Sequence, residues 1–188
     1  MHPRLPIRLA DPDRDAAAVA GIYRSAVEGS TISFEETAPD ASEMADRIRR
    51  TLLRTPWLVA MADADEVVGY AYAGQHRDRA GYRWSVDISA YVHPDWRGRG
   101  VGRTLYDTLL PILVRQGFVN VYAGIALPNP ASVALHQSIG MQLVGVYERV
   151  GYKLGEWLDV AWYGKRLAEP ADPPAEPIAL AELAQRSG

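Results

Sequence analysis

The 188-residue sequence predicts a mixed α/β fold, with a central β-sheet flanked by helices. Three observations carry that expectation. Strand-type and helix-type segments follow one another as strand, two helices, three strands, helix, strand, helix and two strands, an order that covers a sheet on both faces. Residues 84–116 join an alternating strand, a glycine-punctuated loop and an amphipathic helix in one unbroken unit. Composition agrees, with 48% hydrophobic and 23% charged residues on a chain long enough for a full core. The expected organisation is one domain over residues 1–167, followed by a tail over 168–188.

The elements are justified in order by periodicity and capping. Ile7 to Ala10 is a short strand, and Asp11-Pro12-Asp13 supplies a turn and a helix cap. Ala18, Val19, Ile22, Tyr23, Ala26 and Val27 form a helical stripe from Asp15 to Val27. Gly29 to Glu36 loses the period and reads as a loop, in which Phe34, one of two phenylalanines, reads as an anchor that plugs the edge of the core. Met44, Ile48 and Leu52 mark a second helix from Ala41 to Leu53. Trp57–Met61 and Val67–Ala73 are strands joined by a hairpin turn at Asp63-Ala64-Asp65-Glu66.

A polar, arginine-bearing loop then runs from Gly74 to Tyr82 and reads as a solvated face. Trp84–Val92 alternates, so Ser85, Asp87, Ser89 and Tyr91 share one face and Val86, Ile88 and Ala90 the other. A helix from Val101 to Gln116 presents Leu105, Leu109, Ile112 and Leu113 together, with Pro111 removing its bond to the Asp107 carbonyl and expected to bend the helix there. Phe118–Ile125 is a strand, Asn129-Pro130 opens a helix as Ncap and N1, and Gly140 closes it. Strands at Gln142–Tyr152 and Trp157–Leu167 finish the fold. Tyr147, Trp157, Trp162 and Tyr163 there serve either the core or an interface, with the core the default. The Pro- and Ala-rich run from Ala168 to Pro177 reads as an extended tail.

Several function classes are disfavoured. A net charge of −3 with scattered Lys and Arg leaves no nucleic-acid footprint. Neither an 18-residue apolar run nor a signal-peptide h-region occurs, so no membrane partner is expected and the cytoplasm is the default. With no cysteine there is no thiolate, and His2, His76, His93 and His136 lack metal-ligand spacing, so no metal is expected.

The unit at 84–116 carries the chemistry. Glycines allow backbone N–H groups to approach an anion, and the helix N-terminus adds positive potential beside Arg97 and Arg99. The spacing fails the dinucleotide fingerprint at Arg103, and the loop has no Gly-Lys-Ser/Thr ending. What remains is Arg-x-x-Gly-x-Gly, formed by Arg97, Gly100 and Gly102. This resembles the acetyl-coenzyme A signature of the GCN5-related N-acetyltransferases (GNAT). The resemblance spans Ile7 to Leu167 and implies the GNAT fold, in which the strand before the loop splays from its parallel neighbour to form the acetyl-CoA cleft.

His136, seven residues after Asn129, is similar to the phosphinothricin and methionine sulfoximine acetyltransferase branch, as is Gly151-Tyr152-Lys153-x-Gly155-x-Trp157-x-Asp159-Val160. The stretches Pro56–Ala60, Tyr72-Ala73-Gly74 and Leu105-Tyr106 match that branch as well. It implies acetyl-CoA contacts from Ala90, Tyr91, Val92, Arg97, Gly98, Arg99, Gly100, Val101, Gly102, Asn129 and Ser132. Phe34, Arg77, Arg79 and Tyr82 would line the acceptor pocket, where an arginine suits a carboxylate or phosphinate. Amide formation needs a base for the amine, polarisation of the thioester carbonyl and a proton for the leaving thiolate. Asp87 is the nominated base and stands where the branch usually carries Glu. Its shorter reach leaves two routes open, transfer through a water or a base role for His136. The branch further implies a small amino-acid acceptor and a homodimer. A polyamine, aminoglycoside or protein N-terminus as acceptor, or a non-catalytic CoA-binding module, are the competing readings.

Overall fold

The computed structural model describes residues 5–62 and 66–185. Its elements are β1 (Ile7–Leu9), α1 (Pro12–Val27), α2 (Ala41–Leu52), β2 (Trp57–Met61), β3 (Val67–Gln75), β4 (Ser85–Val92), α3 (Val101–Gln116), β5 (Asn120–Ala126), α4 (Pro130–Ser138), β6 (Gln142–Lys153), β7 (Glu156–Arg166) and α5 (Leu180–Gln185). The strands form one sheet in the order β1-β2-β3-β4-β5-β7-β6. Neighbours are antiparallel except β4 and β5, which run parallel. Residues 63–65 of the expected hairpin turn lie outside the described residues.

Local chemistry explains the ends of the elements. Asp11 caps α1 by accepting from the Asp13 and Arg14 amides, with Pro12 in the first turn. Asp40 caps α2 through the Glu43 amide, and Asn129 caps α4 through the Ser132 amide. The β6–β7 hairpin turns on Leu154 and Gly155, both at positive φ as a tight primed turn requires. Helix α3 continues through Pro111 as one helix.

Two cores result from the alternation of the strands. Helix α3 covers one face, where Leu105, Leu109 and Leu113 pack on Val86, Ile88, Val121 and Ala123. Helices α1 and α2 cover the other face, where Val19, Met44 and Ile48 join Trp57, Val59 and Tyr70. Aromatic rings run across this second face, with Trp57 stacked on Tyr72 at 4.3 Å and Tyr70 on Tyr91 at 5.3 Å.

The last residues are strapped to the sheet end. Trp84 Nε1 donates to the Ala175 carbonyl at 2.8 Å and Arg83 pairs with Glu176. The Ile178 amide donates to the Gln116 carbonyl at 2.8 Å, and Gln116 Nε2 donates to the Arg54 and Ile178 carbonyls. The Pro-rich run has no regular structure, as its composition implies, yet side chains of the domain hold it in place at these points.

Asp15 anchors the N-terminal corner. Its carboxylate is buried, accepts from Arg8 at 2.6 and 2.7 Å and from the Asp11 amide at 2.7 Å. Burial alone would raise its pKa, but the Arg8 and Asp11 bonds outweigh it and the carboxyl sits below its ordinary range. A depressed pKa means stabilisation that is present above about pH 4 and is lost as the pH falls through the folded value. Asp15→Asn is therefore expected to lower stability by about 2 kcal/mol at pH 7, or about 5 °C in Tm. Urea midpoints of the two proteins should converge as the pH is taken below about 4.

Candidate active site

The site begins where two strands part. β4 and β5 are paired only at Ser85–Asn120, Val86–Val121 and Asp87–Tyr122. Beyond Asp87, β4 keeps only β3 as a partner, and beyond Tyr122, β5 keeps only β7. A wedge-shaped gap opens through the sheet. A small cavity of about 50 Å³ threads it, touched by Ile88, Ser89 and Ala90 from one side and Ala123, Gly124 and Ile125 from the other.

On the α3 face the gap leads into a cleft of about 470 Å³. Ala90, Tyr91, Val92, Arg97, Gly98, Gly100, Val101, Gly102, Asn129 and Ser132, residues that the resemblance assigns to the coenzyme, all line it. Gly98 and Gly100 adopt φ of 73° and 80°, a left-handed backbone that strongly favours glycine. Gly100 is the Ncap of α3, so the unpaired amides of its first turn point into the cleft mouth. Gly102 matters for packing instead. A Cβ there would meet the Leu135 side chain at 2.9 Å, so its absence lets α4 close over α3. Arg99 is not in the lining and stacks over Trp96 at 5.0 Å. Arg103 takes a place in the wall, and α1 contributes Ile22, Ser25 and Ala26. Nothing in the local sequence pattern marks these four.

At the inner end of the cleft lies a buried polar pair. His136 Nδ1 is 2.7 Å from the Ser132 carbonyl, which can only accept, so Nδ1 carries the proton. Burial pushes the His136 pKa down, which makes the ring neutral at pH 7 and Nε2 an acceptor. Tyr106, fully buried, then donates its hydroxyl to Nε2 at 3.1 Å. Burial also raises the Tyr106 pKa well above the ordinary phenol value. The pair holds two exchangeable protons next to the gap, one on His136 Nδ1 and one on the Tyr106 hydroxyl.

On the opposite face the gap opens toward a pocket of about 450 Å³ lined by Ile32, Ser33, Phe34, Tyr91, Gly124, Ala126, Tyr147, Val150, Val160 and Trp162. Asp87 stands on this face, at the last paired position before the strands separate. Its carboxylate is about one-third exposed and its Oδ1 is 2.6 Å from His76 Nδ1. Burial raises the Asp87 pKa, opposed by the His76 bond and by the charge of Arg77. Asp87 and His136, the two candidate bases, therefore lie on opposite sides of the sheet.

The other acceptor-side residues are placed unequally. Phe34 is in the pocket wall, and Arg77 lies over the Trp162 ring at 5.5 Å. Tyr82 is one contact further out, edge-on to His76 at 5.9 Å. Arg79 is exposed beside the short turn Ala80–Tyr82 and does not line the pocket. The four aromatic residues of the last strands also separate: Tyr163 is core, Trp162 forms pocket wall, and Tyr147 and Trp157 are more than half exposed. A core role for all four is thus corrected: Tyr147 lies on the edge strand β6 and Trp157 beside the β6–β7 turn, both left exposed, and Trp162 faces the pocket.

The loop that carries Phe34 is clamped at several points. Lys153, buried at the end of β6, donates to the Val27 and Ser33 carbonyls at 2.7 and 2.6 Å. Tyr23 bonds Ser33 Oγ and Glu35, and Arg47 grips both Glu35 oxygens. That Arg47 fork is the first cause of a Glu35 pKa below the usual carboxylate value. The Phe34 ring lies against Gly151, where a Cβ would sit 2.2 Å from Cε2. A short motif on β6 thus holds a loop more than a hundred residues away.

Comparison with known proteins agrees with this geometry. A family model described as an acetyltransferase (GNAT) domain matches residues 7–162. The chain belongs to the GNAT acetyltransferase family. Among its relatives in that family is a phosphinothricin N-acetyltransferase of Streptomyces viridochromogenes, 39% identical over 87% of this chain and 90% of that protein. An L-methionine sulfoximine/L-methionine sulfone acetyltransferase of Salmonella typhimurium is 38% identical over 90% and 98%. The crystal structure of a GNAT phosphinothricin acetyltransferase from Sinorhizobium meliloti, in complex with AcCoA, superposes with a TM-score of 0.86 at 34% identity, covering 94% of each chain.

Lys153→Met keeps the aliphatic stem but strips two buried carbonyls of their donor. It is expected to cost about 2 kcal/mol, with faster amide exchange concentrated in residues 29–36 rather than spread over the sheet.

Proposed function

We propose that the chain is an acetyl-CoA-dependent N-acetyltransferase for the α-amino group of small amino acids of the phosphinothricin, methionine sulfoximine and methionine sulfone type. The observation that carries this reading is the gap beside Asp87, with an anion-binding cleft on one face and an aromatic pocket on the other. The named activities of the relatives support it.

Bound acetyl-CoA supplies the activated acetyl thioester. The α3 N-terminus and the Gly98–Gly102 backbone hold its pyrophosphate, with Arg97 adding charge. Asn129 and Ser132 line the inner part of the cleft, and the unpaired backbone of β4 beyond Asp87 offers N–H groups to the carbonyl oxygen as it gains charge. Asp87 takes the proton of the amine, which approaches from the Phe34 pocket. The Tyr106–His136 pair stands on the other side of the gap and serves the departing sulfur. That division follows from the two faces: a base must meet the amine, and a thiolate partner must meet the coenzyme.

Arg77, which lies over the ring of the pocket-wall residue Trp162, favours an acceptor with a carboxylate or phosphinate over a polyamine or an aminoglycoside. Coenzyme release can be followed by a thiol reagent without background, because the chain has no cysteine. With acetyl-CoA, release should depend on phosphinothricin, methionine sulfoximine or methionine sulfone. Release with spermidine or kanamycin alone would overturn the acceptor assignment, and coenzyme binding with no release from any amine would favour a binding module. Asp87→Asn should lower kcat about 100-fold or more while leaving the acetyl-CoA dissociation constant within about threefold, measured by titration calorimetry.

We also assign a second copy of the chain to the outer face of β6. Leu143, Val144 and Tyr152, with Trp157 of β7 beside them, are each more than half exposed at an unpaired sheet edge, next to the pocket residues Tyr147 and Val150. So large an apolar face at one edge is characteristic of an interface. Sedimentation equilibrium should give twice the 20.7 kDa chain mass, and a monomer at micromolar concentration would contradict the assignment. An enzyme drawing on acetyl-CoA pools is placed in the cytoplasm, and among the described residues no helix is long and apolar enough to cross a membrane.

A further inference from the structure

The loop after β3 returns a histidine to the sheet at a decisive place. His76 lies one residue past β3, and its ring stacks on Tyr122 of β5 at 4.6 Å and 27°. Tyr82 meets it edge-on at 5.9 Å and Trp162 at 6.2 Å. The ring is therefore packed on three sides, and its side chain is only 14% exposed. Nδ1 points at Asp87 Oδ1, 2.6 Å away. Oδ2 of Asp87 makes no hydrogen bond among the described residues.

We propose that His76 is a positioning residue for the amine-deprotonating step: it grips one oxygen of Asp87 and leaves the other free to take the proton. The inference rests on the acetyl-transfer reading above and extends it to a residue outside the coenzyme and acceptor walls. An aspartate carboxylate is one methylene shorter than a glutamate's, so its oxygens are fixed by whatever holds them at the strand surface. An ionised carboxylate only accepts, so the proton of the short contact belongs to His76 Nδ1. Charge-assisted bonds of this length are among the stronger ones.

The bond also counters desolvation. Burial pushes the Asp87 carboxyl up, and His76, with Arg77, pulls it back. Facing the pair are Arg77 and Tyr82 from the same loop, Tyr72 of β3, Tyr122 of β5 and Trp162 of β7. Taking away the imidazole donor removes the largest opposing influence, so the acid limb of the rate profile moves to higher pH. A histidine that only packed between Tyr122 and Trp162 would not move it.

The test compares His76→Phe, which keeps a ring for stacking but has no donor, with His76→Gln, which keeps a donor but has no ring. Steady-state rates are measured from pH 5 to 9 with acetyl-CoA and phosphinothricin, beside Asp87→Asn. His76→Phe should lower kcat about tenfold with KM for acetyl-CoA within about twofold, and raise the acid-limb midpoint by about one pH unit. His76→Gln should recover kcat to within about threefold of wild type. Wild-type kcat and acid limb in His76→Phe, with Asp87→Asn inactive, would overturn the role of His76 and leave Asp87 as the base. Should the phenylalanine variant fail to fold, the glutamine variant decides alone, because a glutamine as impaired as a missing donor means that ring packing was the only role. Full turnover in Asp87→Asn would overturn both.

Discussion

The parting of β4 from β5 is the constraint on which the rest of the structure depends. Three paired positions hold the two strands together, and after Asp87 and Tyr122 each strand turns to its other neighbour. A continuous sheet would seal one face from the other. The gap makes a passage, and every functional group described above is arranged about it. The glycine loop and α4 shape the approach on one side, while the Phe34 loop and Trp162 shape the approach on the other.

Burial tunes the two sides in opposite ways. It makes His136 a neutral ring whose tautomer is fixed by Ser132 and Tyr106. It raises the Asp87 carboxyl, which His76 and Arg77 hold back. Both groups are desolvated, and in each a hydrogen-bond partner opposes the effect of burial. Rigid support comes from further away, through the Lys153 and Arg47 clamps and through the close approach of Phe34 to Gly151.

Much of this is legible in the sequence because it is written in local patterns. The helix over residues 101–116 has the predicted bounds, and alternation along β4 puts Asp87 and Tyr91 on one face. The glycine spacing locates the cleft on the α3 face, and of the residues expected there only Arg99 stays out of the lining. What is hidden depends on contacts between distant segments. His76 looks like part of a solvated polar loop, since only the turn back over Tyr122 brings it to Asp87. Tyr106 is part of the branch resemblance, but its hydrogen bond to His136 depends on how α3 packs against α4. The assignment of Trp162 needs the register of β5 against β7, where Gly124 opposes it. The outer face of β6 reads as core by hydrophobicity alone, because the sequence does not mark which strand lies at the edge.

Amide hydrogen exchange with and without acetyl-CoA measures the central claim directly, that the gap between β4 and β5 is where the coenzyme's reactive end enters. Added coenzyme should protect residues 88–92 of β4 together with residues 97–102 of the glycine loop, and leave residues 142–153 of β6 unchanged. Protection of the glycine loop without β4, or of β6 instead of β4, would contradict it.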